Sequence, residues 1–230
     1  MTLNRAKGNM YDWVTHTWNP LNGHCPHNCS YCYVKGMGDR YSSIKEKYSG
    51  EPRLNRSLHD NLGRDRTIFV CNMTDLFAEG VPDEVIGAIL QQTYSYPHNT
   101  YLIQTKDPGR ALDFIPKRFK NYILGTTIEC DIYPEYDISK APSPKDRALA
   151  LRNFPGRRTV TIEPIMKSRN PNHLIDMVLY IEPEFVSIGA DSFNNGLQEP
   201  TREEVLDLIK GLEDAGINVI QKKNLRRLLK

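Results

Sequence analysis

Thr67-Ile68-Phe69-Val70-Cys71-Asn72-Met73 is a nearly continuous apolar run with no polar alternation. A strand that shows neither face to water reads this way, and strands covered on both faces belong to parallel sheets. Similar short runs recur on either side. Trp13-Val14-Thr15-His16-Thr17-Trp18 precedes it; 101–105, 122–128, 159–162, 185–189 and 218–221 follow. Helical patterns lie between several of them. The segment 82–90 opens on Pro82, Asp83 and Glu84, a helix start. Segments 108–114 and 172–179 follow. At 201–209, Thr201 stands three residues before Glu204, the capping-box spacing, and Gly216 is a plausible stop. Alternating strand and helix implies an α/β fold with parallel strands. The chain has 230 residues and no break in composition, so one domain over 1–230 is expected. It is shorter than the roughly 250 residues of a closed eightfold barrel, which favours a partial barrel. Chemistry in such sheets sits at the C-terminal ends of the strands.

Two segments break the rhythm. Residues 35–66 carry many Lys, Arg, Ser, Tyr and Gly and read as a polar insertion with at most a weak helix or hairpin. Residues 131–157 are rich in Pro and charge and read as a second long polar excursion.

Composition excludes several classes. Hydrophobic residues make up 39% and charged residues 25%, ordinary for a globular chain. Thirty Lys and Arg against 28 Asp and Glu leave +2, too little for a protein that coats nucleic acid. No run of about 18 apolar residues exists to span a membrane, and the N-terminus lacks a secretory h-region. The expected compartment is cytoplasm, where thiols stay reduced.

Three of the five cysteines crowd into Cys25-Pro26-His27-Asn28-Cys29-Ser30-Tyr31-Cys32. Three thiolates on a short loop can share one soft metal centre. Zinc normally takes four ligands, and His24 or His27 could supply the fourth. Alternatively the three hold a four-iron cluster and leave one iron open. Cys71 and Cys130 read as small buried hydrophobes.

The spacing C-x3-C-x2-C, with Tyr31 before its last cysteine, resembles the cluster motif of the radical S-adenosylmethionine (radical SAM) superfamily. Trp18-Asn19-Pro20-Leu21-Asn22-Gly23, Asn72-Met73-Thr74-Asp75-Leu76-Phe77, Gln104-Thr105-Lys106-Asp107-Pro108, Gly125-Thr126-Thr127-Ile128-Glu129 and Thr161-Ile162-Glu163-Pro164 are together similar, in order, to a phage-associated radical SAM family of unknown function. The resemblance implies a partial (βα)6 TIM-type barrel with the cluster loop after its first strand. It implies a [4Fe-4S] cluster on Cys25, Cys29 and Cys32, with S-adenosylmethionine on the fourth iron. An external one-electron reductant would drive cleavage to a 5′-deoxyadenosyl radical, which takes hydrogen from a substrate. A phage origin would place the enzyme in host cytoplasm.

The superfamily's Gly-Gly-Glu motif after the second strand is missing. Asn72, Thr74 and Asp75 offer oxygen acceptors in its place, and Asp75 would otherwise cap the turn before Phe77. Thr127, Glu129, Glu163 and Tyr31 are the other expected cofactor contacts. Lys106, Asp191 and Lys222, at other strand ends, are candidate substrate contacts. The basic insertion, with Arg40, Lys45, Arg53, Arg56, Tyr41 and Tyr48, suits a nucleotide or nucleic-acid substrate, since Arg holds phosphate and Tyr stacks bases. The alternatives are a non-catalytic zinc or iron–sulfur module and a radical SAM enzyme acting on a protein partner.

Overall fold

The computed structural model describes residues 3–8, 10–116, 120–132 and 138–230. Strands β1 (Asn4–Arg5), β2 (His16–Trp18) and β3 (Leu21–Asn22) come first. Helices α1 (Tyr33–Arg40) and α2 (Ser42–Lys47) and strand β4 (Arg53–Leu54) follow. Then come β5 (Thr67–Val70), α3 (Asp83–Tyr94), β6 (Thr100–Gln104), α4 (Pro108–Phe114) and β7 (Tyr122–Thr127). The chain continues through α5 (Pro144–Arg152), β8 (Arg157–Ile162), α6 (Pro171–Ile181), β9 (Phe185–Ile188), α7 (Arg202–Asp214) and β10 (Val219–Gln221).

Eight strands form one sheet in the order β1-β2-β5-β6-β7-β8-β9-β10, and β3 pairs with β4 apart from it. From β2 to β10 every neighbour is parallel, while β1 is antiparallel to β2. The mixed α/β fold and parallel sheet agree with the sequence reading. The described ladders leave β10 paired to β9 alone, so they form an arc and no closed barrel. Seven parallel strands stand where the resemblance implied six.

Alternate residues of each strand face opposite ways. Ile68, Val70, Ile103, Leu124, Val160 and Ile188 face the helices and join Ile86, Ile89, Leu151 and Leu208 in the main core. Full burial of each such side chain is worth about 1.5–3 kcal/mol. The other face lines the inside of the arc. Its lower part is apolar: Phe69, Leu102 and Ile123 pack against Tyr11 and Val14. The Trp13 ring stacks on Tyr11 with centroids 5.4 Å apart and meets Phe185 edge-on at 5.3 Å. The segment before β2 therefore plugs the bottom. Higher up the inner face turns polar. Tyr11 Oη lies 2.7 Å from Thr161 Oγ1 and donates to Gln104 Oε1 at 3.2 Å. A Cβ on Gly125 would lie 2.8 Å from Thr159 Cγ2, so a side chain at this position of β7 would crowd its neighbour.

Three local expectations need correction. The strand expected over 13–18 begins at His16, because Trp13 turns inward as part of the plug. The run from Thr67 stops at Val70, because Cys71 takes left-handed backbone at φ 54°. The excursion 131–157 contains α5, and its residues 133–137 lie outside the described residues. Ser143 accepts from the Asp146 amide at 3.2 Å and Pro144 opens the helix, a start signal hidden in a Pro-rich stretch. The insertion 35–66 contributes α2, β4 and most of α1. At α7 the capping box is present as expected: Glu204 N–H donates to Thr201 Oγ1 at 3.2 Å and Thr201 N–H to Glu204 Oε2 at 2.8 Å.

Candidate functional site

The cysteine loop leaves β3 and enters α1 at Cys32. Cys29 is buried, and Cys25 and Cys32 are half-buried. All three line one cavity of about 540 Å³, together with Lys35, Tyr48 and Met73. Burial, and next the charge of Asp75, push the Cys25 thiol up to about 12.

The loop is held at successive residues. His27 Nε2 lies 3.1 Å from Asp75 Oδ2. Lys35 Nζ donates to Asn28 Oδ1 at 2.7 Å and to the Cys29 carbonyl at 3.0 Å. Cys29 Sγ is 3.0 Å from Ser139 Oγ. Ser30 N–H donates to the Ile138 carbonyl at 2.9 Å. Tyr31 Oη donates to Glu129 Oε1.

Glu129, two residues beyond the end of β7, is fully buried. Its Oε2 accepts from Arg147 Nη2 at 2.8 Å and its Oε1 from Lys106 Nζ at 2.7 Å. Arg147, from α5, is itself fully buried and also donates to the Thr127 carbonyl at 2.5 Å. Lys106 Nζ sits 5.1 Å from the Tyr31 ring centroid, at cation–π range. Burial alone would raise the Glu129 pKa; Arg147 and Lys106 outweigh it and hold the carboxyl far below the carboxylate range.

Asp75 is equally occupied. Its Oδ1 accepts from Thr105 Oγ1 at 2.7 Å and from Phe77 N–H at 3.0 Å, and its Oδ2 from Lys106 N–H at 2.7 Å. Burial pushes its pKa up, but His27 and these donors prevail and keep it below the usual value. Asn72 Oδ1 accepts from Asn19 Nδ2 at 2.9 Å, and Tyr33 Oη donates to the Asn72 carbonyl. Thr74 is buried beside them, its amide on the Cys71 carbonyl at 3.2 Å.

A second polar group follows β8 and β10. Glu163, after β8, accepts from Lys222 Nζ at 2.6 Å and from Asn224 Nδ2 at 2.8 Å. Lys222 Nζ stands 4.9 Å from the centroid of the Tyr11 ring. Gly189 makes room: a Cβ there would lie 2.6 Å from Glu163 Oε1. Thr127 Oγ1 accepts from Gln104 Nε2 at 3.1 Å inside the arc. Asp191 instead closes its own loop, accepting from Phe193 N–H at 3.1 Å and Asn195 Nδ2 at 2.6 Å. The strand ends thus bring together Tyr31, Lys106 and Glu129 on one side and Glu163 and Lys222 on the other. Arg147, Tyr11, Gln104 and Asn224 complete these groups and were not singled out from sequence. Only the cap at Ser143 could have placed Arg147 on a helix.

The donor set can be tested against a metal. His24 Nδ1 is 2.7 Å from the Gly50 carbonyl, and His27 faces Asp75. Among the described residues no three His, Cys, Asp or Glu side chains gather tightly enough to grip a single ion. A multi-iron cluster is larger than one ion, so its ligands stand apart around a void. The three thiols line one cavity and are the donors it offers to a soft metal centre.

The chain belongs to the family described as "Protein of unknown function (DUF5131)", whose model matches residues 9–181. No curated protein matches it in sequence. Among solved structures it resembles a spore photoproduct lyase complexed with dinucleoside spore photoproduct: TM-score 0.63, 10% identity, 96% of this chain and 78% of that one. It also resembles Streptococcus suis SuiB bound to S-adenosylmethionine: TM-score 0.52, 9% identity, 89% of this chain and 46% of that one. SuiB bound to its precursor peptide SuiA gives TM-score 0.54 at 9% identity, again over 89% of this chain and 48% of that one. The chain spans about half the length of SuiB. These neighbours are radical SAM enzymes. At such identities the likeness is one of fold. No helix among the described residues is long and apolar enough to cross a membrane.

Proposed function

We propose that this chain is a radical SAM enzyme. The observation that carries the reading is the three-cysteine loop lining a cavity beside a parallel sheet that shares its fold with spore photoproduct lyase. Cys25, Cys29 and Cys32 would hold a [4Fe-4S] cluster, and S-adenosylmethionine would sit beside it. When bound, the pair supplies reductive cleavage of a sulfonium and hydrogen-atom abstraction. The chain's own part is to keep water out and fix geometry. The apolar plug closes the bottom of the arc, and the fastened loop fixes the thiols. Asn72, Thr74, Thr127 and Glu163 are the candidates to touch the cofactor.

For the substrate, a nucleotide or nucleic acid is the preferred class. The neighbour with the higher TM-score was solved with a dinucleoside, and the insertion presents Tyr41 exposed beside Arg40, whose guanidinium lies over Phe193 at 5.1 Å. Lys106, Asp191 and Lys222 are the proposed substrate-side residues. A polypeptide substrate is the second reading, favoured by the SuiB complex with its precursor peptide. The phage association, the cytoplasmic site of action and the external reductant belong to this proposal on the motif resemblance.

The test is anaerobic reconstitution with iron and sulfide, reduction with dithionite in the presence of S-adenosylmethionine, and assay of 5′-deoxyadenosine. Product that vanishes in Cys29→Ala supports the reading. Zinc bound in place of iron, without affinity for S-adenosylmethionine, sinks it.

A further inference from the structure

Two buried carboxylates follow β5 and β7, the strands on either side of β6, and both reach into the cysteine loop. Asp75, after β5, meets His27, two residues beyond Cys25. Glu129, after β7, receives the hydroxyl of Tyr31, immediately before Cys32. Neither resembles a carboxylate waiting for a ligand. Asp75 takes Thr105 Oγ1, Phe77 N–H and Lys106 N–H besides His27. Glu129 takes Arg147, Lys106 and Tyr31, and is fully buried.

Lys106 connects the two systems. Its backbone N–H binds Asp75 Oδ2 and its ammonium binds Glu129 Oε1, each at 2.7 Å. The Lys106 ammonium also lies over the ring of Tyr31. The cysteine loop is thus fastened at two points to one braced unit made from the ends of β5, β6 and β7 with α5. A donor set held by buried, charge-assisted bonds does not have to be ordered when its ligand arrives.

We propose that Asp75 and Glu129 are positioning residues for the cysteine loop, acting through His27 and Tyr31, and do not contact the cofactor. The fastening concerns the chain alone. That the loop holds an iron–sulfur cluster rests on the function proposed above, so the test has one arm with metal and one without.

Tyr31→Phe removes only the hydroxyl fastening, and Asp75→Asn weakens the other. In the full-length, metal-free protein under anaerobic conditions, amide exchange across 25–32 and iodoacetamide alkylation of Cys25, Cys29 and Cys32 are followed by mass spectrometry. Both variants should speed both processes about tenfold or more in the loop, with α7 as the unchanged internal control. After reconstitution, both should show reduced iron and sulfide per chain and a broadened electron paramagnetic resonance signal of the reduced cluster. Affinity for S-adenosylmethionine, counted per cluster, should stay within about twofold. Should Asp75→Asn fail to fold, Tyr31→Phe decides alone, since it leaves every charge in place.

Unchanged loop exchange and alkylation in Tyr31→Phe would overturn the proposal. So would intact loop protection with lost affinity for S-adenosylmethionine, which would make these carboxylates ligand contacts. If the wild-type protein takes up no iron, the function proposed above fails, while faster loop alkylation in the variants still supports the fastening.

Discussion

Replacing Glu129 by Gln leaves shape and volume nearly unchanged but removes the one negative charge between two cations. Arg147 is fully buried and Lys106 only 15% exposed, so water cannot replace what is lost to the first and barely reaches the second. Opposite charges about 4 Å apart attract by about 4 kcal/mol at the effective dielectric of a protein. Two such contacts exist, at 2.8 and 2.7 Å, and desolvation of the three groups offsets much of their sum. Breaking a buried pair by removing one partner costs about 3–5 kcal/mol net, a large part of the about 5–15 kcal/mol that holds a domain together. The assay is anaerobic urea unfolding of purified protein. With a slope near 3 kcal/mol/M, the midpoint should fall by about 1–1.7 M. The double variant Glu129→Leu/Arg147→Met removes the charge together with its principal partner, so it should lose less than the two single changes added, by about 1–3 kcal/mol. A midpoint shift below about 0.3 M in Glu129→Gln, or strict additivity in the cycle, would refute the claim that these groups form one buried unit.

Three further outcomes are expected. The Glu129 pKa is lowered on folding, so its contribution to stability is complete above the ordinary carboxylate value of 4.5 and fades as pH falls below it. Glu129→Gln should therefore lie far below wild type in stability at pH 7 and approach it towards pH 3, as read by urea midpoints; a constant gap would contradict this sign. Gly125→Val should cost at least about 1–3 kcal/mol, since its first carbon already meets Thr159 Cγ2 at 2.8 Å; an unchanged melting temperature would show that the arc is looser than it looks. Gly189→Ala should push the Glu163 carboxylate off Lys222, because the added carbon falls 2.6 Å from Oε1; a crystal structure retaining that ion pair would disprove it.

The parallel order was readable because buried strands lack alternation and each is followed by a polar turn. The same rule pointed to Lys106, Glu129, Glu163 and Lys222 before any contact was known. Their pairing was not readable. Lys106 and Glu129 are 23 residues apart and Glu163 and Lys222 are 59 apart, and only strand register joins them. Asp75 shows another limit. A carboxylate at a strand end looks the same whether it awaits an ammonium or is filled by protein donors, and three of its donors are backbone amides or a hydroxyl that leave no mark in sequence. Arg147 was lost because Pro142, Pro144 and Pro155 gave its segment the composition of a loop. Trp13 reads as part of the first strand because an aromatic plug and a strand use the same residue types.

The aromatic plug under the arc limits the direction of approach. With Tyr11, Val14 and Trp13 filling the lower end, a molecule that meets the polar inner face at Gln104 and Thr127 does not come in from below.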